Sequence, residues 1–336
     1  MKIDGIVMEP DLAETARGAR SLEELGYDGV LSAEIRHDPF LPLVVAAEHT
    51  ERVQIGTSIA VAFARNPMTL ANLGHDLQAY SQGRFLLGLG SQIKPHSEKR
   101  FAMPGSHPAA RMRELILALR AIWACWNSGE PLSFRGEFYR HTLMTPMFDP
   151  GPNPFGPPRV FLAAVGERMT EVAGEVADGV ILHAFTTERY LRDVTVPALE
   201  RGFEQSGRTR SDFEISGPLF VVTGSSEEAM AESAQATKQQ IAFYGSTPAY
   251  LPVLALHGWA DLHHELNRLS KRGEWVQMGE IVDDDVLDTF AIVAEPEDVA
   301  AKMKARYGGL VDRLTFSVPV RQDPQRWADV IAQLRA

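Results

Sequence analysis

Eight times along this chain a short, mostly apolar run gives way to a stretch whose apolar residues recur every three or four positions. A run apolar on both faces suits a strand of a parallel sheet, because helices cover such a sheet and leave no face for water. The runs are residues 3–8, Tyr27–Ser32, Val53–Phe63, 84–90, 159–164, 179–184, 213–223 and 312–318. In the first helix Leu12, Ala16, Ala19, Leu22 and Leu25 share a face; Asp11 is placed to cap it and Gly26 to end it. Asn66-Pro67 opens another helix, with proline in the first turn where a missing N–H does no harm. Ser106-His107-Pro108 opens a long one, to about residue 127, that buries Leu115, Ala118, Leu119, Ile122 and Trp126. Further helices are expected at 187–206, 226–244 and 324–335. Residues 246–290 read as an excursion with one or two helices, the run Asp283–Asp285 lying at a helix N-terminus. Eight βα units most simply close as an α/β (β/α)8 TIM barrel with insertions, a single domain over 1–336. An open doubly wound sheet would need a glycine fingerprint after its first strand. Gly88-x-Gly90 follows the fourth instead, and Ile93 stands where the third glycine belongs.

Composition narrows the function classes. Of 336 residues, 45% are apolar and 23% charged, far from the profile of a disordered chain. A net charge of −11 argues against a nucleic-acid partner, since counterion release needs a basic surface. The lone thiol, Cys125, cannot form an internal disulfide and reads as core, which suits a reducing cytoplasm. The opening residues lack a basic segment leading into an apolar run, and no apolar stretch approaches ~18 residues, so neither a secretion signal nor a membrane span is expected.

In barrels the chemistry lies on the loops after the strands. After the second strand come Glu34 and His37, each able to act as acid or base, or to be solvated beside Arg36. The third carries Gly56, Thr57, Ser58 and Ile59, small residues that admit a planar ligand or reflect tight packing. After the fourth, Gly88, Gly90 and Ser91 expose backbone donors. Arg111 and Arg113, early in the helix that follows, suit an anion or face solvent beside Glu114. Ala164, Val165 and Gly166 form a phosphate-sized turn into a helix. His183, at the end of the sixth strand, either faces a ligand or satisfies a local hydrogen bond. His263-His264-Glu265 lacks metal-ligand spacing, so no metal is expected. Nucleophile-elbow and Walker motifs are absent.

Taken in order, YDGVLSAE and HDPF near strand 2, GTSIAVAFARNPMTLA, GRFLLGLGSQ, HPAARMRELILALRAIW, AGEVADGV and DRLTFSVP resemble the bacterial luciferase-like superfamily. Within it the match is to the branch that uses the deazaflavin coenzyme F420, and it spans nearly the whole chain. The resemblance implies a (β/α)8 barrel and hydride transfer to or from a small organic substrate. It sets Glu34 near the reactive ring, with Ile35 where some members have a proton-transferring histidine and His37 two residues on. It matches a non-prolyl cis peptide to Ser58-Ile59, a cofactor-lining role to Gly90 and Ser91, and a phosphate turn to Ala164, Val165 and Gly166. Arg111 and His183 join these as candidate cofactor contacts. A cytoplasmic homodimer is the expected form. Two rival readings are a reduced-FMN-dependent monooxygenase and a non-catalytic flavin-binding barrel. Residues 246–290, with Phe243, Tyr250, Trp259 and Trp275 in or beside them, are expected to cap the pocket.

Overall fold

The computed structural model describes residues 1–7, 11–317 and 324–335. Met8 and Pro10, where the first expected strand ends, and Val318, where the last does, lie outside these. The chain divides into two compact units. One comprises Gly5–Ile181 and Ala198–Glu214; the other comprises Met1–Asp4, Leu182–Pro197 and Ile215–Ala336.

In the larger unit five strands lie side by side and parallel, in the order Gly29–Ser32, Gln54–Thr57, Phe85–Gly90, Arg159–Ala163 and Gly179–Ile181. Each is followed by a helix or a helix-bearing loop, as right-handed crossovers require. Helix Leu12–Glu24 starts where expected, with Asp11 accepting from the Ala13 N–H at 2.9 Å. Helix Pro67–Tyr80 starts with Asn66 accepting from the Thr69 N–H at 2.9 Å. The long helix Pro108–Ser128 buries Leu115, Ala118, Leu119, Ile122, Cys125 and Trp126, and Gly129 ends it in the left-handed region.

The smaller unit holds Ala291–Val293, Glu214–Val222, Arg313–Ser317 and the start of Lys2–Val7, again parallel. Asp4 and Arg313, both 1% exposed, form a two-pronged ion pair there at 2.6 and 2.8 Å. The fold class is α/β, the (β/α)8 barrel with insertions.

Three expectations change. The strand expected over Val53–Phe63 runs only to Thr57, resumes at Ala60–Val61 and then tightens into a single 3-10 turn, Ala62–Ala64. Between the pieces lies the Ser58–Ile59 peptide, which is cis. The helix expected over 187–206 contains a π turn, Leu191–Thr195, just before Pro197. Proline cannot donate to the carbonyl four residues back, and the hydrogen-bond register shifts there. Residues 246–290 hold four helices rather than one or two: Leu251–Leu256, Ala260–Arg272, Trp275–Glu280 and Asp284–Phe290. The Asp283 side chain caps the last of these, accepting from the Val286 N–H at 2.8 Å. Ala291–Val293, which follows it, is a strand that the apolar pattern does not mark.

The strand Gln54–Thr57, which leads into Ser58 and Ile59, is set by Glu23. Its carboxylate accepts from the N–H groups of Glu51, Arg52 and Val53, at 2.7 Å for Arg52, and so fixes where the strand begins. Burial works against this charge, but the three N–H groups outweigh it and hold the carboxyl below its usual range. A lowered carboxyl contributes stability in full above the ordinary glutamate value and loses it as pH falls through the folded one. Glu23→Ala should therefore cost about 1 kcal/mol at pH 7, solvent screening keeping it low. The gap in unfolding midpoint should close below about pH 4; a gap constant down to pH 3 contradicts the anchoring role.

Candidate active site

The larger unit gathers most of the expected site residues at the carboxyl ends of its strands. Glu34 is 9% exposed rather than solvated. Its backbone N–H donates to the Ile59 carbonyl at 3.1 Å, while its carboxylate accepts from the Val61 N–H at 2.7 Å. Glu34 thus brackets the segment 59–61 from both sides. The same carboxylate oxygen takes Arg65 Nη1 at 2.7 Å, and Arg65 Nη2 reaches Asp38 at 2.7 Å. The Arg65 guanidinium lies over the Phe40 ring, 5.3 Å from its centroid. Burial alone would lower its pKa, but its contacts with Glu34 and then Asp38 raise it above the usual arginine value. His37, in contrast, is exposed on the same loop.

Beside this bracket the backbones come unusually close. Thr57 Oγ1 donates to the Gly88 carbonyl at 2.6 Å, and a Cβ on Gly88 would collide with the Thr57 carbonyl oxygen. A Cβ on Gly90 would stand 2.8 Å from Ile59 Cδ1. Positions 88 and 90 therefore admit no side chain, and the floor of the rim there is packed tightly against Thr57 and Ile59. Beyond Gly90, Gln92 takes a positive φ of 59°, and Ser97 donates to the Ser91 carbonyl at 3.1 Å. A π turn, His96–Arg100, follows, and Arg100 donates to the Ile35 carbonyl at 2.7 Å, tying this loop to the Glu34 loop.

Ala164 is buried and donates its N–H to the Ile181 carbonyl at 3.1 Å. Val165 is half-buried and Gly166 exposed. Gly166 is the N-cap of helix Glu167–Val176, which has no side-chain cap, and a Cβ there would meet nothing within 4 Å. An open, uncapped helix start of this kind is a place where an anion can sit. The two arginines part company. Arg113 is spent on Glu175, with contacts of 2.7 and 2.6 Å. Arg111 is half-buried and stacks over Phe138, 4.6 Å from its centroid, and more loosely over Phe63 at 5.9 Å.

In the smaller unit His183 accepts from the Phe185 N–H through Nδ1 at 3.0 Å. Its ring lies edge-on to Tyr244, at 4.5 Å, and tilted over Tyr250, at 4.7 Å. Burial pushes the imidazole down to about 4. His257 pairs with Thr187 Oγ1 at 2.8 Å and stacks on Trp259. His263 is tied to the Gly245 carbonyl at 2.7 Å. Among the described residues no three His, Cys, Asp or Glu side chains gather as a metal site, and no helix is long and apolar enough to cross a membrane. Sequence reasoning gave Arg65 no role; its partner Glu34 lies 31 residues away, and no local pattern marks the pair. It missed both π turns and Tyr244.

Residues 3–313 match the family described as luciferase-like monooxygenase. An uncharacterized protein of Mycobacterium tuberculosis strain H37Rv is 57% identical over 314 residues, covering 94% of this chain and 92% of its own. The solved coenzyme F420 dependent tetrahydromethanopterin reductase of Methanopyrus kandleri superposes with a TM-score of 0.80 at 20% identity, covering 99% of this chain and 97% of its own. EDTA monooxygenase of Chelativorans sp. BNC1 gives 0.77 at 16% identity, covering 100% and 93%. At such identities the two structures establish the shared barrel fold.

The Glu34 bracket makes a specific prediction. Arg65→Ala leaves a nearly buried carboxylate with its Val61 N–H alone and should cost about 3 kcal/mol. Arg65→Lys should recover only part, since one ammonium lacks the fork that meets Glu34 and Asp38 together. Thermal unfolding of the two variants checks this; equal losses would remove the two-pronged role.

Proposed function

Because the chain belongs to the luciferase-like monooxygenase family and is an oxidoreductase, we propose that it uses coenzyme F420 to pass a hydride to or from a small organic substrate. What supports this reading is the close packing of Gly88 on Thr57 and of Gly90 on Ile59, which fixes the Ser58–Ile59 segment at the rim. A Cβ at either glycine would push aside the surface that a planar ring would meet. Ser58 and Ile59 would meet the ring, with Gly90 and Ser91 at its margin. Ala164, Val165 and Gly166, at the uncapped start of helix Glu167–Val176, would hold the phosphate through backbone N–H groups. Arg111 would add a cation. Bound there, the deazaflavin supplies two-electron hydride chemistry.

The chain's own residues orient and move protons. Glu34, joined to Arg65 and Val61, keeps the segment 59–61 in place. His37, exposed on the same loop, is the side chain placed to pass a proton to or from the substrate. Residues 246–290 select the substrate, and two copies form a cytoplasmic homodimer.

The second reading is a reduced-FMN-dependent monooxygenase. The same floor and phosphate turn suit FMN, and the likeness to EDTA monooxygenase supports it. Titrating the apoprotein with each cofactor and following fluorescence separates the two. F420 should bind more tightly than FMN; FMN binding with no response to F420 would overturn the preference.

A further inference from the structure

Two polar groups in the smaller unit remain without a protein partner among the described residues. Because His183 Nδ1 accepts from the Phe185 N–H, the neutral ring must carry its proton on Nε2. Among the described residues no side chain or carbonyl accepts from that N–H. The Tyr250 hydroxyl, on the ring tilted 30° over His183, likewise has no hydrogen-bond partner among them. Both rings are half-buried. The Tyr244 hydroxyl, in contrast, is taken by Gln240 Nε2 at 3.1 Å.

We propose that His183 and Tyr250 form an uncharged two-donor site for a neutral oxygen of the substrate, a carbonyl or hydroxyl rather than a phosphate or carboxylate. This rests on the oxidoreductase reading and adds the substrate class to it. The titratable groups packed on the His183 ring are the Tyr244 and Tyr250 phenols, and Phe185 and Phe290 extend the cluster at 4.4 Å from each other. His183 makes no ion pair. Burial pushes the imidazole down and the Tyr250 phenol up, so each is held in its neutral, donating form. Protonating His183 would need a proton on Nδ1, which the Phe185 N–H opposes. His183 therefore positions substrate without shuttling protons.

Protein labelled with 15N-histidine tests this directly. The His183 resonances should report the Nε2–H form alone and stay unchanged from pH 8 to pH 5. Nδ1–H signals, or a titration near pH 6, would overturn the proposal. Cyclohexanone and cyclohexanol should shift the Nε2 resonance saturably, and cyclohexanecarboxylate should not. Tyr250→Phe should weaken the cyclohexanone response about tenfold, the worth of one hydrogen bond, with the tautomer preserved. Equal binding by the carboxylate, or an unchanged response in Tyr250→Phe, sinks the site. A fluorescence titration of the same samples with F420 keeps the two readings apart. F420 binding with a silent His183 removes this site alone, and a responsive His183 without F420 binding removes the cofactor assignment alone.

Discussion

The candidate site depends on how closely strand Phe85–Gly90 approaches strand Gln54–Thr57. The contact is possible only because position 88 has no side chain: the Thr57 carbonyl occupies the space a Cβ would need, and the Thr57 hydroxyl bonds the Gly88 carbonyl. With the two backbones this near, the chain leaving Thr57 turns at Ser58–Ile59, and Ile59 comes to rest against Gly90. The floor of the rim is thus closely packed, with little freedom to rearrange.

A floor of backbone still needs something to hold its free end. Glu34 does this with one N–H and one carboxylate oxygen, and Arg65 holds Glu34. The arrangement changes how the glutamate should be read. A residue type that suggests acid or base chemistry on a loop is here largely buried and occupied with the neighbouring strand, while His37, three residues on, remains in solvent. Asp38 completes the tie by accepting from the other end of the same guanidinium and from the Phe40 N–H at 2.8 Å.

Much of the architecture is legible from pattern. Most apolar runs, the Asp11 and Asn66 caps and the Gly26 stop are local signals, and each leads to the element expected of it. What escapes is decided by distance or by register. The run Val53–Phe63 is uniformly apolar, so nothing in its composition shows that it breaks after Thr57; the partner responsible, Gly88, lies 31 residues on. The helix through 187–206 keeps its amphipathic spacing across a π turn that only Pro197 hints at. In the site, glycines and small residues mark the floor and the uncapped start of helix Glu167–Val176, because backbone geometry dictates residue type there. Glu34, Arg65 and Asp38 do not mark their own network, since charged residues in a loop look alike whether paired or solvated. His183 satisfies a local hydrogen bond through Nδ1, as one of the two readings offered for it has it.

The ion pair between Asp4 and Arg313 has a bearing on how the protein comes into being. Its members are 309 positions apart, and residues 2–4 take their sheet neighbours from residues 313–315. During synthesis the first strand of the smaller unit therefore emerges long before its partner exists. Asp4 stays hydrated until Arg313, 309 residues later, has been made, and completion of that unit is a late step in folding.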